Sequence, residues 1–333
     1  MGKRIIRLTG GLSWWLAEPS RMILLQIFRC LEIIAFTSGW SDQSDPNQEE
    51  DNLDESNERH QGEDHATLAP NMDALTSESS SPEQQYTLDV TFGVAMKTLK
   101  CLSTAIELSS VKANLKSDAS WPEKRVAQLK TLERELFDAF ADPDTFSTEH
   151  PCADNGVAQQ GISSYVSQEI KENHVWAFHY SAAIFYRRAL CDGGPDVVPP
   201  LPKTTGQGVF SRTDEFTQRL SGQELVSKAL EHLENVDAMS SDIAVANTLW
   251  PGFIAAVEAV DMDLRHRALI WFARAKRHGI GNISKAKALV LEVWRRVDRQ
   301  TWVSPERKNV KSELSHVDWR EVMKEKGMYI MLT

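Results

Sequence analysis

The sequence predicts an all-α protein, an irregular array of about eight to eleven helices interrupted by a disordered acidic insertion. Three observations lead there. Apolar residues recur at three-and-four spacing through most of the chain, as in Ile23, Ile27, Leu31 and Ile34. No alternating apolar–polar stretch bounded by hairpin turns occurs, so no sheet is expected. Residues 41–84 carry thirteen Asp/Glu against the single basic Arg59, with seven apolar side chains and no aromatic. Such a stretch cannot bury enough surface to offset its ordering entropy.

The acidic stretch also explains the charge. Of the formal −10, it holds −12, which leaves +2 on the rest of the 333 residues. With 41% apolar and 25% charged residues, the chain has ordinary globular composition. Cys30, Cys101, Cys152 and Cys191 lie 71, 51 and 39 residues apart, which excludes zinc-ribbon, zinc-finger and thioredoxin spacings and reads as reduced, buried thiols. Arg7 breaks the first apolar run too early for a signal peptide, and Ile6 fails the myristoylation pattern. Met22 to Phe36 is interrupted by Gln26, Arg29 and Glu32, so it reads as a buried helix and no membrane association is expected.

In order along the chain, a helix from about Ser20 to Thr37 fills the first segment, 1–40, followed by the acidic linker 41–84 and a main helical domain, 85–333. Leu88, Phe92, Ala95, Leu99, Leu102 and Ile106 continue the helical spacing. Ser120-Trp-Pro-Glu123 has the form of a capping box ahead of Val126, Leu129, Leu132, Leu136 and Phe140. Glu169 to Cys191 is too apolar for a surface helix and is stopped by Gly193-Gly-Pro195, which makes it central. A loop rich in Pro and Gly at 199–208 precedes the capping box Ser221-Gly-Gln-Glu224. Helices then follow from Ala244 through Trp250-Pro251, over Leu264–Arg277 and Ala286–Val297, and after the cap Asp318-Trp-Arg-Glu321.

Catalytic and cofactor signatures are missing. The sequence has no His-Glu-x-x-His, Walker loop, Gly-x-Ser-x-Gly or dinucleotide fingerprint, and Glu149-His-Pro-Cys152 lacks the second Cys of a deaminase site. Neither cofactor nor metal is expected. His174 and His179, five apart, share no helix face and read as core or boundary histidines. Arg187-Arg188 complements the dipole of its helix, and an alternative role is a buried pair with a carboxylate such as Glu258. Arg265, His266, Arg267, Arg274, Lys276 and Arg277, with Arg295, Arg296 and Arg299, form a basic cluster diluted by Asp261, Asp263, Glu292 and Asp298; it reads as a solvated helix face rather than a nucleic-acid surface. Trp176, Trp250, Trp271, Trp294 and Trp319 read as packing anchors more readily than as an aromatic cage.

Two segments resemble, in order and spacing, the C-terminal regulatory region of fungal zinc-cluster transcription factors, in the branch of arginine-metabolism regulators and acriflavine-sensitivity control proteins. One is His174 to Leu190, closing in Tyr186-Arg187-Arg188. The other runs from Leu249-Trp250-Pro251-Gly252-Phe253 through Glu258, Arg267, Gly279-Ile-Gly-Asn282, Val293-Trp294 and Asp298 to Asp318-Trp319-Arg-Glu321 and Gly327. Weaker likeness covers Ser20 to Thr37 and Leu88 to Gly93. Within these motifs Trp250-Pro251 suits a helix start, Gly279 a helix exit in left-handed geometry, and Asn282 the cap of the next helix.

The resemblance implies a nuclear regulatory and protein-interaction domain, or a cytoplasmic one if the import signal belongs to a segment this chain lacks. Its implied partners are other transcription regulators or co-activators, with a homo- or heterodimer and a small-molecule effector among them. The family's zinc cluster of six cysteines and its basic linker do not occur in this chain, so no sequence-specific DNA binding of its own is expected. Either a truncated gene model or a paralogue without its reader would give this pattern. The competing reading is a helical scaffold or metabolite sensor unrelated to transcription, and an enzyme ranks last because no nucleophile, base and orienter can be proposed together.

Overall fold

The computed structural model describes residues 11–39, 93–115, 121–146, 164–191, 220–240, 248–278, 281–303, 317–328, 330 and 332. Among them are ten α-helices and no strand. These are α1 (Gly11–Leu16), α2 (Pro19–Thr37), α3 (Met96–Asn114), α4 (Glu123–Asp138), α5 (Ser164–Leu190), α6 (Gly222–Met239), α7 (Leu249–Val257), α8 (Met262–Ala275), α9 (Ile283–Val303) and α10 (Trp319–Glu325). Short 3-10 turns follow α4 and α8. The acidic stretch 41–84, the Leu88–Phe92 motif, Ser120, Cys152 with Glu149 and His150, Gly193–Pro195, the loop at 199–208 and Gly279 lie outside the described residues.

Two helices organise the rest. Helix α5 is apolar around most of its circumference from His174 onward, and such a helix must be surrounded. It packs on α3, α4, α6 and α7. Helix α7 has nine residues, every one buried, and touches α5, α6, α8 and α9. Helix α10 closes the array against α9, while α2 joins it through α3.

Local signals decide most of the boundaries. Helix α6 has the capping box: Ser221 Oγ accepts from the Glu224 amide at 3.2 Å, and the Glu224 carboxylate accepts from the Ser221 amide at 2.5 Å. Pro251 falls in the first turn of α7, where its missing N–H has no intrahelical acceptor to leave empty. Asp318 caps α10 by accepting the Arg320 amide at 2.8 Å. At the other end of α10, the amide of Gly327 donates to Lys324 O at 3.1 Å and that of Met328 to Met323 O at 2.9 Å.

Three expectations are corrected. Helix α4 begins at Glu123 with Pro122 in the cap position, so Glu123 is its first residue and cannot be the far end of a box started by Ser120. The helical spacing that begins at Leu88 is broken before α3, because Gly93 has φ +59° and Ala95 is extended. A Cβ at Gly93 would stand 2.1 Å from Nδ1 of His174, so this position needs both the left-handed backbone and the absence of a side chain. The third correction concerns the basic face.

That face is not simply solvated. Arg265 is 8% exposed and binds both oxygens of Asp298 at 2.9 and 3.1 Å. Arg267 forks onto Glu234 at 2.9 and 2.8 Å, and Arg274 and Arg277 reach the buried carboxylate of Asp237 at 3.4 and 2.8 Å. These guanidiniums clamp α8 to α6 and α9. The acids they meet stand about 33 to 40 residues away in sequence, which hides the pairing from any local pattern.

Candidate functional site

The motif residues converge around α7. Trp250 is fully buried, its ring stacked on Phe178 of α5 with centroids 4.7 Å apart. Its Nε1–H donates to Thr37 Oγ1 at 2.9 Å, and Thr37 in turn donates to Ile34 O at 2.6 Å. One indole thereby ties the end of α2 to the start of α7 across 213 residues. Gly252 is the second contact point. A Cβ there would lie 2.2 Å from the Trp271 ring, so glycine lets α8 bring its indole onto the α7 backbone. Trp294 donates from Nε1 to Ala256 O at 3.0 Å, satisfying a carbonyl in the last turn of α7, and Trp319 meets Phe253 edge to face at 5.0 Å.

A polar node sits beside these rings. Arg188 Nε lies 3.0 Å from Glu258 Oε1, with the two side chains 8% and 5% exposed. Their geometry is that of an ion pair rather than an aligned hydrogen bond. Glu258 caps the C-terminus of α7, the end at which the helix dipole disfavours an anion, and Arg188 supplies the compensating charge from the last turn of α5. Arg188 Nη2 also donates to Val317 O, just before Asp318. Burial alone would raise the Asp318 carboxyl, but Arg320 and, more weakly, Arg188 hold it below the usual carboxylate range. Arg187 points elsewhere, its guanidinium 5.3 Å above the Phe137 ring.

Sequence reasoning brought out Arg188, Glu258, Trp250, Pro251, Trp294, Asp318 and Trp319, and the fold gathers them. Asn282 immediately precedes α9, and its carbonyl accepts the Ala286 amide at 2.9 Å. Gln223 was missed. Its Nε2 donates to Glu258 O at 3.0 Å and its Oε1 accepts the amide of Val260 at 2.8 Å, so it fixes the turn that presents Glu258. The only sequence signal was its place inside the α6 capping box.

A second polar cluster lies at the other half of α5. His179 is fully buried; its Nε2–H donates to Leu136 O at 2.7 Å, so in the neutral ring Nδ1 accepts from Thr98 Oγ1 at 2.8 Å. Burial pushes this imidazole down to about 4. His232, stacked beside Trp176 and Tyr180, donates from Nδ1 to Asn173 Oδ1 at 2.9 Å and is likewise lowered to about 4, chiefly by burial. Burial drives the thiols the other way, and Cys30 and Cys101 rise to about 12, too high for a nucleophile. Among the described residues, no group of three or more His, Cys, Asp or Glu is placed to hold a metal ion. No helix among them is long and apolar enough to cross a membrane.

The motif residues described above pack and brace the helical array around α7. The chain belongs to the fungal specific transcription factor domain family, which matches residues 1–333. It is similar to arginine metabolism regulation protein II of Saccharomyces cerevisiae (strain ATCC 204508 / S288c), with 29% identity over 76 residues. That match covers 22% of this chain and 9% of the yeast protein. No solved structure matches. The family's description points to a role in transcription regulation.

Proposed function

We propose that this chain is the regulatory and protein-interaction domain of a nuclear transcription factor, and that its 333 residues act through partners rather than by reading DNA sequence. The family match over the full length carries this reading. It is supported by the composition, because no zinc-cluster spacing occurs in the chain and the basic residues on α8 are largely spent on carboxylates of α6 and α9. Arg187, Arg188, Trp250, Pro251, Glu258, Gly279, Asn282, Trp294, Asp318 and Trp319 are structural in this reading. They hold the array in the shape that partners recognise. The partners are other transcription regulators or co-activators, a second regulator chain in a dimer, and a small-molecule effector. An effector has room in a cavity of about 530 Å³ between the end of α2, α3 and the start of α10, edged by Lys112, Asp318 and Arg320.

Two measurements test the proposal. Fused to a heterologous DNA-binding module, the chain should change transcription of a reporter relative to the module alone. An unchanged reporter, with the fusion abundant in the nucleus, would overturn the reading. The isolated chain should bind duplex DNA weakly and without sequence preference at about 150 mM salt, where exposed charges are strongly screened. Tight selection of one DNA sequence would contradict it.

A further inference from the structure

Helices α8 and α9 each turn one stripe toward a shared outer groove of about 730 Å³. From α8 come Met262, Arg265, His266 and Leu269; from α9 come Leu291, Trp294, Arg295, Asp298 and Arg299. These are helical faces by their spacing, and they are partly open apolar surface. Met262 is 75% exposed and Leu291 44%, so both leave apolar surface in water.

The charge of this groove is one-sided. Its single acid, Asp298, is already neutralised by Arg265, whose guanidinium also lies 5.2 Å over the Trp294 ring. Arg295 pairs with Glu292, which also meets Arg296 at 3.0 Å and Lys326 at 3.7 Å, while Arg296 has a second carboxylate in Glu325 at 2.6 Å. Arg299 and His266 are exposed and make no ion pair among the described residues. Arg265, Arg295 and Arg299 thus line the apolar trough against one carboxylate, Asp298.

We propose that the α8–α9 groove is the docking site for an acidic amphipathic helix of a partner protein, a reading that rests on the chain being a protein-interaction domain. Apolar side chains of that helix at i, i+3 or i+4, and i+7 lie along Met262, Leu269, Leu291 and Trp294. Its flanking carboxylates face Arg295 and Arg299. Met262 suits the role, since an unbranched thioether adapts to ligands of different shape. Nucleic acid fits less well, because phosphates gain nothing from the apolar floor.

The test uses the full chain and a fluorescein-labelled synthetic helix of about 15 residues, with Leu and Phe on one face and Glu on the other. Anisotropy should show saturable binding that weakens by about tenfold or more in Arg295→Glu/Arg299→Glu, and also in Met262→Ser/Leu291→Ser. Both variants change exposed side chains, and their melting curves should match the parent. A scrambled peptide of the same composition and a Lys-for-Glu peptide should not bind. Equal affinity for parent and variants, equal binding of the scrambled peptide, competition by duplex DNA at the peptide's own concentration, or a chain dimer that the Arg295→Glu/Arg299→Glu change dissociates would each overturn the proposal. The fusion reporter separates this from the broader reading: a reporter response that survives Arg295→Glu/Arg299→Glu leaves the regulatory role standing and removes the groove.

Discussion

The arginines around α7 and those along the α8–α9 groove are chemically identical and physically opposite. Arg188 is buried against Glu258 at the end of an apolar helix, where an unpaired charge would cost several kcal/mol. Arg295 and Arg299 stand in water beside exposed Met262 and Leu291. The first arrangement makes a fold dependent on complementary charge. The second adds little to stability and leaves charge and apolar surface for another molecule. The two regions meet at Trp294, whose Nε1–H binds Ala256 O of α7 while its ring lines the groove.

The largest expected effects lie in the hub. Arg188→Ala should destabilise the chain by about 3–5 kcal/mol by removing the guanidinium that faces the buried Glu258, and denaturant unfolding reads this as a lower midpoint. Arg188→Met combined with Glu258→Leu should recover a substantial part of that loss, because no buried charge remains; a double variant as unstable as the single one would show that the Val317 contact, not the pair, matters. Trp250→Ala should cost a comparable ~3–5 kcal/mol, whereas Trp250→Phe keeps most of the packing and gives up chiefly the Thr37 bond, about 1 kcal/mol. Gly252→Ala, which adds one methyl facing the Trp271 ring, is expected to cost about 1–3 kcal/mol. A melt unchanged by it would mean that α7 and α8 separate easily.

The histidine cluster sharpens the comparison through pH. His179 and His232 sit near 4 in the folded chain, against an ordinary value of 6.5. Between those values the unfolded chain binds more protons than the folded one. Their contribution to stability is therefore fully present above about 6.5 and falls away as the pH drops toward 4, by about 1.4 kcal/mol per pH unit for each histidine. Asp318, held below its ordinary value, contributes stability that is lost only at still lower pH. Acid unfolding followed by chemical denaturation at stepped pH should steepen below 6.5, and His179→Gln should flatten that slope.

Much of this architecture was legible in the residues themselves. The run from His174 to Leu190 announced a surrounded helix, Ser221 and Glu224 announced a helix start, and Glu258 entered as the carboxylate of the alternative role for Arg187-Arg188. What stayed hidden depends on distance. Nothing local links Trp250 to Thr37, Arg267 to Glu234, or Gln223 to Val260, because each pair is made only when helices remote in sequence pack. Gly93 misled for the opposite reason: apolar spacing continued through it, while the approach of His174 required a backbone that no helix provides. The groove was invisible because its two stripes belong to different helices, and only their packing sets Leu291 beside Met262.

The claim that hub and groove divide structure from recognition is tested most directly by methyl spectra of the methionines. The chain has nine, and among those described Met262 alone lies in the groove while Met323 is buried on α10. On titration with the acidic amphipathic peptide, the Met262 methyl resonance should shift and broaden, Met323 should stay in place, and Arg295→Glu/Arg299→Glu should abolish the response. A Met262 signal that does not move while Met323 does would place recognition at the hub and contradict the division.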